Sequence, residues 1–191
     1  MAHIEPQHGF STRCIHAGQT PDPVTGAVMP PVSFSSTYAQ SSPGEHAGFE
    51  YSRSHNPTRY AWERCIARLE GSELCESDDV TYGGFAFASG LAAIATLLDH
   101  LPANAKVVAS DDLYGGTHRL FRQVRAHSAG LRFEFVDASD PNQVADAVDA
   151  ETALIWVETP TTPMLKVVDL AAISAIGKEH GILTACDNTF C

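Results

Sequence analysis

From Lys106 onward the chain alternates strand-length apolar runs with stretches of helical spacing, and this alternation restricts its fold more than any other feature. The pattern predicts strands over 106–110, 131–136, 152–158 and 182–186. Helices are predicted over 117–127, over 142–148 with Asp140 as cap, and over 169–180 with Gly181 as stop. Strands that alternate with helices form a largely parallel sheet covered on both faces. In such sheets ligands bind beyond the carboxyl ends of the strands.

Upstream, the pattern predicts a strand over 84–88 and a helix opening at Ser89. A further helix runs from Pro57 to Gly71, with Asn56 as N-cap and Pro57 at the first helical position. Ile66 and Leu69 are expected to mark its buried stripe. The first sixty residues are rich in Pro, Gly, Ser and Thr, with one short helical piece over 11–17. A stretch of that kind reads as an extended arm, 1–60, running over another surface such as a second subunit. Residues 61–191 then form the main α/β body, and the acidic stretch 72–79 reads as a solvated loop.

Composition narrows the function classes. A net charge of −11 with no basic stripe argues against nucleic acid. The apolar runs are of strand length, and the N-terminus lacks a cationic-then-apolar signal design, so a cytoplasmic protein without membrane association is expected. The five cysteines, Cys14, Cys65, Cys75, Cys186 and Cys191, show no CxxC spacing, and the nine histidines form no HExxH. Reduced, structural cysteines and no metal site are expected.

Four segments, 51–58, 88–92, 112–117 and 158–163, sit where a sheet enzyme places its site loops, the last three directly after predicted strands. Ala88-Ser89-Gly90-Leu91-Ala92 opens a helix with small residues, so free backbone N–H groups would face an anion. Read alone, it is equally a plain Ser cap. Asp112-Leu113-Tyr114-Gly115-Gly116-Thr117 offers an aromatic ring that could stack on a planar group, or merely a rim Tyr beside a Gly-Gly turn. Glu158-Thr159-Pro160-Thr161-Thr162-Pro163 fixes a rigid loop. Asp187 ends the apolar run 182–186, where a carboxylate needs a cation or donors. A protonated pyridine nitrogen would answer it, and so would the N–H groups of the following turn.

Together, YSRSHNPTR, FAFASGLAA, DDLYGGT, ETPTTPMLKVVD and DNTF resemble the pyridoxal-phosphate enzymes of cysteine and methionine metabolism over residues 12–191. This family comprises the cystathionine γ-synthases, the γ- and β-lyases, and the methionine γ-lyases. The resemblance implies the large domain of an aspartate-aminotransferase-like fold (fold type I), C-terminally incomplete here, with pyridoxal 5'-phosphate as cofactor. It implies that Ser89 and the amides of Gly90 and Leu91 hold the phosphate, Tyr114 stacks on the ring, and Asp187, with Thr189 nearby, meets the ring nitrogen. Thr162 would face the ring oxygen. Tyr51 and Arg53 would reach a neighbouring subunit's phosphate in a homotetramer built from dimers, a role suited to a guanidinium fork.

Glu50 and the YGGT run look most like cystathionine γ-lyase, with Glu50 receiving the distal amino group of cystathionine and Tyr114 taking part in proton transfer. In this resemblance methionine γ-lyases carry Cys in place of Gly116, and β-lyases depart from YGGT. The implied reaction cleaves cystathionine, or a related thioether, to cysteine, 2-oxobutanoate and ammonia. The alternatives are γ-synthase or methionine γ-lyase activity, or a non-catalytic truncated homologue acting through subunit association. A Rossmann-type nucleotide binder is disfavoured because GxGxxG is missing.

Two departures stand out. The three lysines, Lys106, Lys166 and Lys178, read as surface cations, and none matches the family's cofactor-bonding lysine, expected beyond Asp187 and past Cys191. The chain is therefore expected to be inactive alone. Thr162 replaces the family's Asn, a change worth about one hydrogen bond, roughly 1 kcal/mol. Residues 72–82 read as an insertion.

Overall fold

The computed structural model describes residues 9–71 and 83–191, so the predicted loop 72–79, the insertion 72–82 and Cys75 lie outside the described residues. The chain divides into two compact units, Met1–Phe87 and Ala88–Cys191.

In the first unit, α1 (Phe10–His16), a short hairpin of β1 (Gln40–Ser42) and β2 (Glu45–His46), and α2 (Pro57–Leu69) are joined by irregular chain. α2 begins as its sequence dictates. The Asn56 side chain accepts the Thr58 and Arg59 amides at 2.9 and 3.2 Å, and Pro57 occupies the first turn, where its missing N–H costs nothing. Its buried face differs from the expected Ile66 and Leu69 stripe: Ala61, Glu63, Cys65 and Ala67 are buried, while Ile66 is 44% exposed. The cause is close backbone approach. A Cβ on Gly18 would stand 2.4 Å from the Cys65 nitrogen, and one on Gly84 would stand 2.2 Å from the Glu63 carbonyl oxygen. A helix face that carries backbone at this distance needs small residues. The same approach replaces the predicted strand over 84–88. The Ala86 N–H donates to the buried Glu63 carboxylate at 2.8 Å instead of to a strand ladder, and residues 84–87 take no regular structure.

The second unit carries α3 (Gly90–Leu98), β3 (Lys106–Ser110), α4 (Gly115–Arg119), α5 (Ala126–Ser128), β4 (Arg132–Val136), α6 (Pro141–Ala147), β5 (Thr152–Glu158), α7 (Leu170–His180) and β6 (Leu183–Asp187). The four strands form a parallel sheet in the order β4-β3-β5-β6. The expected parallel sheet is thus present, Asp140 and Gly181 close their helices as predicted, and Asp169, expected as a first helical residue, is instead the N-cap of α7. Asp140 accepts the Asn142 amide, Asp169 accepts those of Ala171 and Ala172, and Gly181 ends α7 at φ 66°, a conformation glycine enters without steric cost.

The two central strands are buried on both faces. Val107 and Ala109 of β3, with Leu154 and Trp156 of β5, pack under Ile94, Leu98 and Phe121. The alternate residues Val108, Ile155 and Val157 pack against Val144, Val168 and Ile173. Period-two side chains feeding two cores explain why these runs are continuously apolar. The predicted helix over 117–127 opens two residues earlier, at Gly115, and between α4 and α5 it widens into a π-helical stretch, Leu120–Arg125. That stretch seats the fully buried Phe121, stacked on Phe133 at 4.6 Å and edge-on to Trp156 at 5.8 Å.

Truncating Phe121 to Ala is expected to destabilise the second unit by about 3–5 kcal/mol, the usual cost of emptying a buried aromatic site. Urea denaturation followed by tryptophan fluorescence would measure it, and a loss under 1 kcal/mol would refute the packing account.

Candidate active site

Because the sheet is parallel, Ser110, Val136, Glu158 and Asp187 all end their strands at one edge. The loops after β3 and β5 are fastened to each other there. Asp112 accepts the Thr161 hydroxyl and the Met164 amide, the latter at 2.8 Å. Lys166 Nζ bridges Asp111 at 2.9 Å and Asp137 at 3.0 Å, joining the turns that follow β3, β4 and β5. Those carboxylates, Asp111 first, hold the Lys166 pKa above its ordinary value.

α3 presents its N-terminus with Ser89 as cap. Ser89 Oγ accepts the Ala92 amide at 3.2 Å, while the Gly90 and Leu91 amides meet no acceptor among the described residues. A Cβ built on Gly90 would meet nothing within 4 Å, so the space beside Gly90 is open among the described residues. Two unspent donors with open space before them fit an anionic group.

At the end of β6, Asp187 Oδ1 accepts both the amide (3.1 Å) and the hydroxyl of Thr189, leaving Oδ2 without a partner among the described residues. An Asp with one oxygen fixed and the other unused fits a single cationic N–H donor. Tyr114, 56% exposed, lies over Gly116, where a Cβ would stand 2.5 Å from its ring. The missing side chain gives one edge of the ring room against the turn. These three groups, all in the second unit, fit a planar cofactor with a phosphate and a basic ring nitrogen.

Thr162 is half-buried on the β5 loop, and its neighbour Thr161 makes the hydrogen bonds there. In the first unit, Tyr51 and Arg53 come together: Arg53 Nη2 donates to the Tyr51 hydroxyl at 2.9 Å, with the guanidinium 5.4 Å from the ring centroid. Glu50 lies on the same segment, and its carbonyl accepts the Tyr38 amide at 3.1 Å.

Two lysines depart from the surface role expected of them. Lys106 Nζ meets Glu134, Asp149 and the Ala147 carbonyl, each at 2.7 Å, so all three N–H groups are engaged. Burial lowers its pKa, but the hydrogen bonds of Asp149 and Glu134 more than reverse this and hold it raised. Lys166 is bound as described, and only Lys178 stands exposed, on α7. Cys14, Cys65, Cys186 and Cys191 are free thiols, and Cys186 is pushed up to about 11, first by burial and then by Asp187.

Sequence reasoning missed the most enclosed ionisable group at this edge. Glu158 is 3% exposed; Oε2 accepts the Tyr114 amide at 2.8 Å, and Oε1 has no partner. Burial pushes its carboxyl above the ordinary value, the Tyr114 amide opposes the shift, and Asp187 and Asp112 add to it. The signal was present: Glu158 ends an apolar run as Asp187 does, and the first cation after it, Lys166, is eight residues on and paired to Asp111 and Asp137.

Residues 11–191 match the family described as Cys/Met metabolism PLP-dependent enzyme. The chain is 57% identical over 181 residues to a cystathionine beta-lyase of Coxiella burnetii, covering 95% of this chain and 44% of that protein. It is 49% identical to a probable cystathionine gamma-synthase of Herpetosiphon aurantiacus, covering 96% and 54%. It superposes on a crystal structure of cystathionine gamma-lyase from Lactobacillus plantarum complexed with L-serine, with a TM-score of 0.86 and 40% identity, covering 96% of this chain and 45% of that one. The chain thus spans about half the length of the relatives it matches.

A carboxyl whose folded pKa is raised binds its proton more tightly in the folded state, so its contribution to stability falls as pH rises above the ordinary value of 4.5. Wild type is therefore expected to lose stability relative to Glu158→Gln as pH climbs from 4 towards neutrality. Paired urea titrations across that range check it, and a constant difference between the two would refute it.

Proposed function

Since the chain belongs to the pyridoxal-phosphate-dependent enzymes of cysteine and methionine metabolism, we propose that it carries the cofactor-holding apparatus of a carbon–sulfur lyase. The proposed reaction cleaves cystathionine to cysteine, 2-oxobutanoate and ammonia. The observation that carries this reading is the unspent Asp187 oxygen at the same strand-end edge as Tyr114.

The Gly90 and Leu91 amides and the Ser89 hydroxyl bind the cofactor phosphate, and the helix dipole adds a favourable field. Tyr114 covers one face of the ring and excludes water from it. Asp187 Oδ2 accepts the ring N–H and keeps that proton in place. The bound cofactor supplies an electron sink for negative charge at the substrate α-carbon. Thr162 orients the ring oxygen, and Thr189 holds Asp187 in its accepting rotamer. The phenol of Tyr114 holds or moves a proton near the substrate.

Neither Lys106 nor Lys166 serves as the cofactor-bonding amine, because their N–H groups are committed to carboxylates. That amine belongs to a lysine other than these. Tyr51 and Arg53, already paired, form the arm that reaches a neighbour's phosphate, with Glu50 beside them for the substrate's distal amine. The same reading makes the protein a cytoplasmic homotetramer; among the described residues no helix is long and apolar enough to cross a membrane. Cystathionine γ-synthase is the second reading, favoured by the 49% identical relative of that name.

Pyridoxal phosphate binding, followed by absorbance and cofactor fluorescence, is expected to weaken about ten- to a hundredfold in Asp187→Ala, the loss of one charged hydrogen bond. Borohydride reduction with peptide mapping is expected to leave Lys106 and Lys166 unlabelled, and label on either overturns the lysine assignment. In a form that supplies the bonding lysine, 2-oxobutanoate released with cysteine supports γ-cleavage. Homocysteine released with pyruvate assigns β-cleavage instead.

A further inference from the structure

We propose that Glu158 is a positioning residue that sets the Tyr114 ring and Asp187 in one frame. The inference rests on the reading of Tyr114 and Asp187 as cofactor contacts, and it concerns a carboxylate to which that reading gives no task.

The geometry is specific. Glu158 is the last residue of β5 and stands in register with Asp187, the last residue of β6. The two strand ends are tied together beyond the ladder: the Thr159 amide donates to the Asp187 carbonyl at 3.1 Å, and the Asn188 side chain donates to the Thr159 carbonyl. On its other side Glu158 is tied to β3, its own amide donating to Ser110 Oγ at 3.4 Å. From this anchored point the side chain runs inward and accepts the Tyr114 N–H at 2.8 Å.

The Tyr114 carbonyl is meanwhile fixed by the His118 amide at 3.0 Å. Both backbone polar groups of Tyr114 are therefore spoken for, which fixes the direction of its Cα–Cβ bond and lays the ring on Gly116. Among the described residues Glu158 is the one acceptor of the Tyr114 amide. Glu158 thus links the two groups, its carboxylate holding Tyr114 and its strand holding Asp187.

Glu158 Oε1 and Thr117 Oγ1 are both buried and without partners, and the Thr117 hydroxyl lies close enough to favour the charged form of Glu158. The ionisable groups that bear on Glu158 are Asp187 from β6 and Asp112 from the β3 turn, both acids. A neutral acceptor of the same shape would hold Tyr114 equally well. A shortened or missing side chain would not.

The test uses the full chain without added cofactor, reading amide hydrogen exchange at Tyr114 by NMR, with the β5 core amides Leu154 and Ile155 as internal references. Glu158→Ala is expected to raise Tyr114 exchange about tenfold or more while the references hold, and Glu158→Gln to stay within about threefold of wild type. Should the Ala variant fail to fold, Glu158→Asp, which withdraws the acceptor by one methylene, is expected to raise exchange in the same sense.

The Tyr114 amide proton shift should follow a carboxyl titration in wild type and lose that step in the Gln variant. Unchanged exchange in the folded Ala or Asp variant, or a Gln variant as exposed as Ala, overturns the proposal. With pyridoxal phosphate added, the visible circular dichroism of the bound cofactor is expected to fall in Ala and persist in Gln. If wild type binds no pyridoxal phosphate, the functional reading fails, and with it the cofactor part of this proposal; the exchange arm still decides whether Glu158 positions Tyr114.

Discussion

The site depends on two strands, β3 and β5, that are buried on both faces. Their alternating side chains feed one core containing Phe121 and Trp156 and another containing Val144 and Ile173. A strand locked between two cores cannot slip by one residue without turning every side chain to the wrong face. Ser110 and Glu158, at the ends of these strands, are therefore held within the tolerance that a hydrogen-bonded site needs. β6 inherits that precision through its ladder with β5, and so does Asp187.

On this frame the charges sort into two classes. Lys106 and Lys166 are each surrounded by carboxylates and act as fasteners, one joining β3 to β4 and the loop before β5, the other joining the turns that follow β3, β4 and β5. Glu158 and Asp187 stand at the same edge without a cation beside them. That edge spends Lys166 on fastening its loops and leaves a carboxylate oxygen of Asp187 open, and the proposed function places a cationic group against it. Pyridoxal phosphate, with a protonated ring nitrogen and an anionic phosphate, matches that oxygen and the open Gly90 and Leu91 amides together.

Much of this was legible in the sequence, for reasons that are local. Asn56-Pro57, Asp140, Asp169 and Gly181 announce helix ends through hydrogen bonds to residues two or three away, and the structure contains those bonds. Three expectations failed where the deciding partner was distant in sequence. The expected α2 face follows from apolar spacing in the sequence, but Gly18 and Gly84 approach it so closely that Ala61 and Cys65 are buried and Ile66 is not. The run 84–88 has strand composition, yet the Ala86 amide goes to Glu63. Lys106 and Lys166 have neighbours in sequence that say nothing of Asp149, Glu134 or Asp137.

By itself the sequence determined the parallel α/β sheet, the edge at which its loops gather, and the motifs DDLYGGT, ETPTTPMLKVVD and DNTF that follow strands at that edge, because periodicity and capping are properties of contiguous residues. Tertiary structure alone decided which of those residues are coupled. Glu158 and Tyr114 are separated by 44 positions, and their 2.8 Å contact exists only because β3 and β5 pair. Burial, hydrogen-bond partnership and the resulting pKa direction are set by what surrounds a group in space, and no stretch of chain carries that information before it folds.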